Sequence, residues 1–158
     1  MLPKFDTIGL FVASPSFASI LSMTLASARH LRIRSFDSEQ ALLTYARLAP
    51  MAVVVVDFDN GEAPPDGLAR ALRDDPGIDP ALQIMALAGD VDRRLQSAAF
   101  AAGIDEIVLK PMSPRYLLER VLSRLARRRL RRDPPPPRPD WSAHGDNIVP
   151  LFGRDPVR

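Results

Sequence analysis

The stretch RRRLRRDPPPPRPDW, residues 127–141, holds six arginines, two aspartates, five prolines and the only tryptophan of the chain. These residue types suit one kind of chemistry. A guanidinium matches the O6 and N7 acceptors of guanine with two parallel hydrogen bonds. A carboxylate complements the N1–H and N2–H₂ edge of the same base. An indole offers a flat face on which a base stacks, worth ~1–3 kcal/mol. Surplus arginines pair with phosphate through charge-assisted, often bidentate contacts.

The spacing repeats. R-x-D occurs as Arg131–Arg132–Asp133 and again as Arg138–Pro139–Asp140, with Trp141 adjoining the second unit. RDP occurs at 132–134 and at 154–156. The prolines between favour an extended form that rises ~3.1 Å per residue. A ligand with two guanines and two phosphates suits such a doubled set, and cyclic di-GMP is one. The candidate binding residues are Arg128, Arg131, Arg132, Asp133, Arg138, Asp140, Trp141, Asn147 and Arg154. Other readings stay open on these residues alone. Arginines complement the dipole at a helix C-terminus, which accounts for Arg120, Arg124, Arg127 and Arg128 as a solvated helix end. A basic arm for nucleic acid fits the charge equally well, although the interspersed aspartates repel a phosphate backbone. PPPPRP also fits the ligand of a proline-recognising domain.

Composition frames the question. The 158 residues suffice for one domain with a real core plus an appendage. Hydrophobic residues at 46% and charged residues at 25% are those of a globular chain. There is no cysteine, which excludes disulfides and thiolate chemistry. The first residues lack a secretion-signal pattern, and no apolar run approaches the ~20 residues of a membrane span. A cytoplasmic location without membrane insertion is expected. The net charge of +2 hides an asymmetry. Residues 124–141 carry seven arginines against Asp133 and Asp140, a net +5, which leaves −3 on the remainder. One basic block on a mildly acidic body implies an anionic partner.

Five short apolar runs must position whatever chemistry the body carries: 7–13, 31–36, 51–57, 82–88 and 105–110. Val53 to Val56 is β-branched and unbroken, as in a strand buried on both faces of a parallel sheet. LRIRSF (31–36) alternates, as an edge strand does. Helical patterns lie between the runs, at 15–28, 38–48, 66–75, around 92–103 and from 114 onward. Asp37 or Ser38 caps the second, Gly103 closes the fourth, and Ser113 with Pro114 opens the fifth. Leu117, Leu118, Val121, Leu122 and Leu125 give the last helix its apolar face. Beyond Leu125 that face fades, and Pro134 to Pro137 end any helix. The alternation predicts an α/β fold, a doubly wound five-stranded parallel sheet. The expected division is 1–126 for this domain and 127–158 for an extended arginine- and proline-rich tail. The tail has a composition that orders only around a ligand and carries one apolar knot, Ile148 to Phe152.

Functional groups of open α/β sheets gather at the carboxyl ends of strands. Those positions hold Ala13–Ser14, Asp57, Leu87–Ala88 and Lys110–Pro111. VVVVD ending in Asp57, the following DGL, AAGIDEIVLKP and SPRYLLERV together resemble the receiver domains of response regulators, the CheY family, over residues 5–126. The resemblance implies strand order 2-1-3-4-5. It also implies a phosphoacceptor aspartate at Asp57, an attending Lys110, and Mg²⁺ held by acids after the first strand. Ala13 and Ser14 stand where those acids belong. Leu87 or Ala88 replaces the hydroxyl residue that follows the phosphoryl group, and Ile107 replaces an aromatic. One carboxylate between ligand-free neighbours suits Mg²⁺ poorly, so a degenerate, non-catalytic receiver is expected, with Asp57 and Lys110 as an ion pair and no metal or cofactor. Asp59 is the one nearby carboxylate able to compensate.

A degenerate receiver with an arginine-rich C-terminal extension is similar to the CheY-like cyclic di-GMP effectors, and RRRLRRDPPPPRPDWSAHGDNIVPLFGR carries that likeness. It implies that the extension binds cyclic di-GMP. It further implies that the loaded protein docks on the flagellar motor switch, restraining motility and favouring surface attachment. With the likeness added, nucleic acid is not the expected partner. A phosphoryl-accepting single-domain response regulator using Asp57 is the first alternative, and a nucleic-acid-binding adaptor using the arginine block is the second.

Overall fold

The computed structural model describes residues 4–59 and 65–133. Arg138, Asp140, Trp141, Asn147, Arg154 and the apolar knot at 148–152 lie outside them. Within the described residues the chain alternates strand and helix as its apolar periodicity predicts. The strands are β1 (Asp6–Phe11), β2 (Leu31–Ser35), β3 (Val53–Asp57), β4 (Gln83–Ala88) and β5 (Glu106–Leu109). The helices are α1 (Pro15–Ala26), α2 (Glu39–Leu48), α3 (Pro65–Asp74), α4 (Arg93–Ala101) and α5 (Pro114–Arg132). All strand pairs are parallel and the order is β2-β1-β3-β4-β5, as expected.

The period of two along a strand divides the core into two layers. Val53 and Val55 face α1 and α5, packing with Leu21, Leu25, Leu117 and Val121. Val54 and Val56 face the other way, toward Leu42, Leu68, Leu72 and Ala99 of α2, α3 and α4. β3 and β4 are therefore buried throughout. β2, at the edge, alternates between buried and exposed positions.

Local chemistry sets the helix ends. Ser14, Ser38, Asp92 and Ser113 each accept a backbone N–H from the first turn, satisfying donors that lack intrahelical partners. Gly103 closes α4 with φ of 100°. Its N–H donates to the Phe100 carbonyl, and the Ile104 N–H donates to that of Ala99. This is the paired closure that a left-handed residue allows.

α5 continues past Leu125, where its apolar face fades, through Arg132. The physical reason lies in its buried face. Arg124 and Arg128 prolong the stripe of Leu117, Val121 and Leu125, and both are buried. Their methylene stems cover apolar surface while their guanidinium groups find acids on the body. Arginine is also a good helix former, and Arg129, Arg131 and Arg132 complement the dipole of the last turn.

Candidate functional site

Parallel strands give the sheet two chemically different edges, and α5, returning antiparallel, touches both. At the carboxyl edge stands Asp57, 5% exposed, the last residue of β3. Lys110 follows β5 directly and donates from Nζ to Asp57 Oδ1 at 2.8 Å. The same ammonium lies 2.5 Å from Asp59 Oδ2, and the Asp59 backbone N–H donates to Asp57 Oδ1 at 3.0 Å. One cation thus binds two carboxylates. Hydrogen bonding from Lys110, opposed by burial, holds the Asp59 carboxyl below its ordinary value. Burial works against the Lys110 ammonium, but the hydrogen bonds to Asp57 and Asp59 outweigh it and raise its pKa.

At the amino edge the starts of the strands present acids. Asp6 begins β1, Asp79 precedes β4, Asp105 precedes β5 and Glu106 begins it. The arginines of α5 descend onto them one turn at a time. Arg120 and Arg124 both donate from Nε to Glu106, one to each carboxylate oxygen. Burial resists ionisation of Glu106, yet the two guanidinium groups overcome it and hold that carboxyl below its usual range. Further down, Arg128 Nη2 and Arg132 Nη2 reach Asp79 Oδ2 at 2.7 and 2.8 Å. Arg131 lies 3.7 Å from Asp105 Oδ1, whose other oxygen accepts from Arg73. Arg129 donates to Asp6 at 3.0 Å.

Of the predicted ligand set, the structure brings together Arg128, Arg131, Arg132 and Asp133, all at this amino edge. Asp133 ends α5, its N–H donating to the Arg129 carbonyl. Arg128, Arg132 and Asp133 line a groove of about 900 Å³ with Lys4, Asp6 and Arg129. Sequence reasoning missed the acids that pair with the α5 arginines: Asp79 and Asp105 for the predicted set, Asp6 for Arg129, and Glu106 for Arg120 and Arg124. The available signal was an acid immediately before an apolar run, facing arginines spaced four apart.

No protein-family model matches the chain, and no curated protein is similar to it in sequence. Solved structures match its shape. The signal receiver domain of an HD domain-containing protein from Pseudomonas fluorescens Pf-5 superposes with a TM-score of 0.73 at 16% identity, covering 85% of this chain and 97% of that one. The chemotaxis protein CheY4 of Vibrio cholerae gives 0.68 at 18% identity, over 75% and 98% of the two chains. A response regulator from Thermotoga maritima gives 0.67 at 24% identity, over 77% and 98%. The fold is that of a CheY-like receiver.

Against that fold the carboxyl edge is depleted. The Ala13 side chain has no ligand atom to offer, and the Ser14 hydroxyl caps α1, accepting from the Phe17 N–H at 3.3 Å. Leu87, paired with Asp57 across the sheet, and Ala88 are buried and carry no hydroxyl. Among the described residues no group of three or more His, Cys, Asp or Glu side chains is placed to hold a metal. The two carboxylates present share Lys110 instead. This donor set does not fit Mg²⁺, which takes near-octahedral oxygen coordination. Among the described residues, no helix is long and apolar enough to cross a membrane.

Proposed function

We propose that the chain is a non-catalytic, receiver-fold signalling module of CleD-like type, whose input is cyclic di-GMP bound by the arginine-rich end of α5 and the residues after it. The observation that carries this reading is the gathering of Arg128, Arg131, Arg132 and Asp133 at the amino edge, beside a groove, on the opposite edge of the sheet from Asp57. The ligand would be held by arginine and aspartate on the guanine edges, arginine on the phosphates, and Trp141 stacked on a base, with Arg138, Asp140, Asn147 and Arg154 completing the set. The output is docking on the flagellar motor switch, restraining motility and favouring surface attachment. Calorimetry with cyclic di-GMP, on the full chain and on a chain ending at Asp133, tests it. Heat from the full chain that falls sharply on truncation is expected. No heat from the full chain refutes the reading. Asp140→Ala separates guanine recognition from simple phosphate attraction, because it weakens the first and leaves or helps the second.

The likeness of fold speaks more directly for a second reading, a phosphoryl-accepting receiver. Asp57 ends β3 with Lys110 Nζ at 2.8 Å, and Asp59 adds a carboxylate beside it. The structural departure at Ala13 and Ser14 weighs against it. Incubation with a small phosphodonor and Mg²⁺, followed by mass spectrometry, distinguishes the two: a stable phosphoryl gain on Asp57 establishes the second reading.

A further inference from the structure

Arg128 carries the one buried side-chain polar atom without a hydrogen-bond partner among the described residues. Its side chain is 7% exposed, yet its Nε–H is buried and has no hydrogen-bond partner among the described residues. Nε and Nη2 form the side-on fork with which arginine grips two oxygens of one anion. Here only Nη2 is used, on Asp79 Oδ2. Asp79 does not turn its second oxygen to the fork: Oδ1 accepts the Ala81 N–H at 2.9 Å instead. The oxygen that Arg128 does reach is shared with Arg132. One carboxylate oxygen therefore serves two guanidinium groups, and half of a fork is left empty.

We infer that Asp79 is a built-in stand-in for a phosphate: in the unliganded chain it holds Arg128 and Arg132, and a phosphate of the dinucleotide takes its place. This deepens the cyclic di-GMP reading and rests on it. A phosphate carries enough oxygens to fill the Arg128 fork and to accept from Arg132 together. Asp79 then sets the affinity, since every binding event breaks two ion pairs before it makes new ones. Because Nε has no accessible surface, the ligand reaches Arg128 only as the Asp79 pair opens. The last two turns of α5 and the loop carrying Asp79 therefore exchange partners on binding.

Three full-length chains test this: wild type, Asp79→Asn and Asp6→Asn. Asparagine keeps an acceptor for the Ala81 N–H and removes the charge. Asp6→Asn removes the same charge from another ion pair of the amino edge, where its partner Arg129 is largely exposed. Calorimetry with cyclic di-GMP should show Asp79→Asn binding about tenfold tighter than wild type, within the range of ordinary coupling energies, and Asp6→Asn changing less than about threefold. An unchanged or weaker Asp79→Asn overturns the inference while leaving the ligand reading intact. Equal gains in both variants overturn it too, since general charge repulsion then suffices. No binding by any of the three sinks the ligand reading, and this inference with it. Hydrogen exchange on wild type supplies a measurement free of folding effects in the variants. Ligand should raise exchange at the Ala81 N–H as its loop loses its arginine partners; protection at Ala81 that stays constant under saturating ligand overturns the exchange of partners.

Discussion

Glu106→Gln tests whether the upper arginines of α5 hold the fold rather than a ligand. Glu106 is 13% exposed at its side chain, Arg124 is 11% and Arg120 31%. Removing the carboxylate charge leaves a nearly buried Arg124 without a counter-ion. Breaking a buried pair by removing one partner costs about 3–5 kcal/mol. Arg120 is partly solvated and the amide keeps an acceptor, so the loss here is about 2–3 kcal/mol. For a chain of this size that lowers Tm on the order of 8 °C. The pH dependence gives a sharper check. Unfolded Glu106 titrates near ~4.3, and in the fold its pKa is lowered. A depressed carboxylate contributes stability that is fully present above the unfolded value and lost as pH falls through the folded one. Urea denaturation followed by far-ultraviolet circular dichroism should show a constant gap between wild type and variant at neutral pH. The gap should close in acid, where the wild-type carboxyl is itself neutral. Cyclic di-GMP affinity should stay within about twofold, because neither Arg120 nor Arg124 belongs to the candidate set. A variant as stable as wild type at neutral pH, or a gap that persists unchanged in acid, refutes the assignment.

Lys110→Met removes the cation shared by Asp57 and Asp59. Stability should fall by about 1–3 kcal/mol at neutral pH as buried Asp57 loses its partner, and the Asp59 carboxyl should titrate closer to its ordinary value by NMR; an Asp59 that does not move contradicts the assigned cause. Gly103→Ala forces a left-handed φ of 100° on an L side chain and brings its Cβ within 2.6 Å of Arg73 Cγ. A loss of more than about 1 kcal/mol in thermal unfolding is expected, with faster exchange of the Ile104 N–H.

The sheet was legible because its signals are local. MAVVVVD could only be a doubly buried strand, and Asp57 and Lys110 were found by reading strand ends. Ser38, Ser113 and Gly103 announced their helix ends through their own chemistry. What stayed hidden depends on contacts between residues distant in sequence. The arginines after Leu125 break the apolar stripe, so the pattern alone does not say how far the helix runs before Pro134. It continues because Asp79, Asp105 and Asp6, from three other elements, neutralise Arg128, Arg131, Arg132 and Arg129. Nothing in the stretch DDPGIDPALQ marks Asp79 as an arginine partner rather than a loop residue. The −3 on the remainder of the chain carried the same information only in aggregate.

Burying Arg128 is difficult to explain by stability alone. The position continues the stripe of Leu117, Val121 and Leu125, where an aliphatic side chain would pack without desolvating a charge. Buried ion pairs often contribute no more than a hydrophobic group of similar volume, and this one leaves an N–H unsatisfied, a further cost of about 1–3 kcal/mol. Arg128→Met should therefore be neutral or stabilising. Asp79 is not orphaned by the change, since Arg132 still reaches it at 2.8 Å. If the arginine is kept for a ligand, the same variant should lose cyclic di-GMP affinity by at least about tenfold, the value of one charge-assisted bidentate contact. Thermal unfolding and calorimetry on one preparation decide the matter. A less stable variant with unchanged affinity would return Arg128 to the fold; an equally stable one that no longer binds would assign it to the ligand.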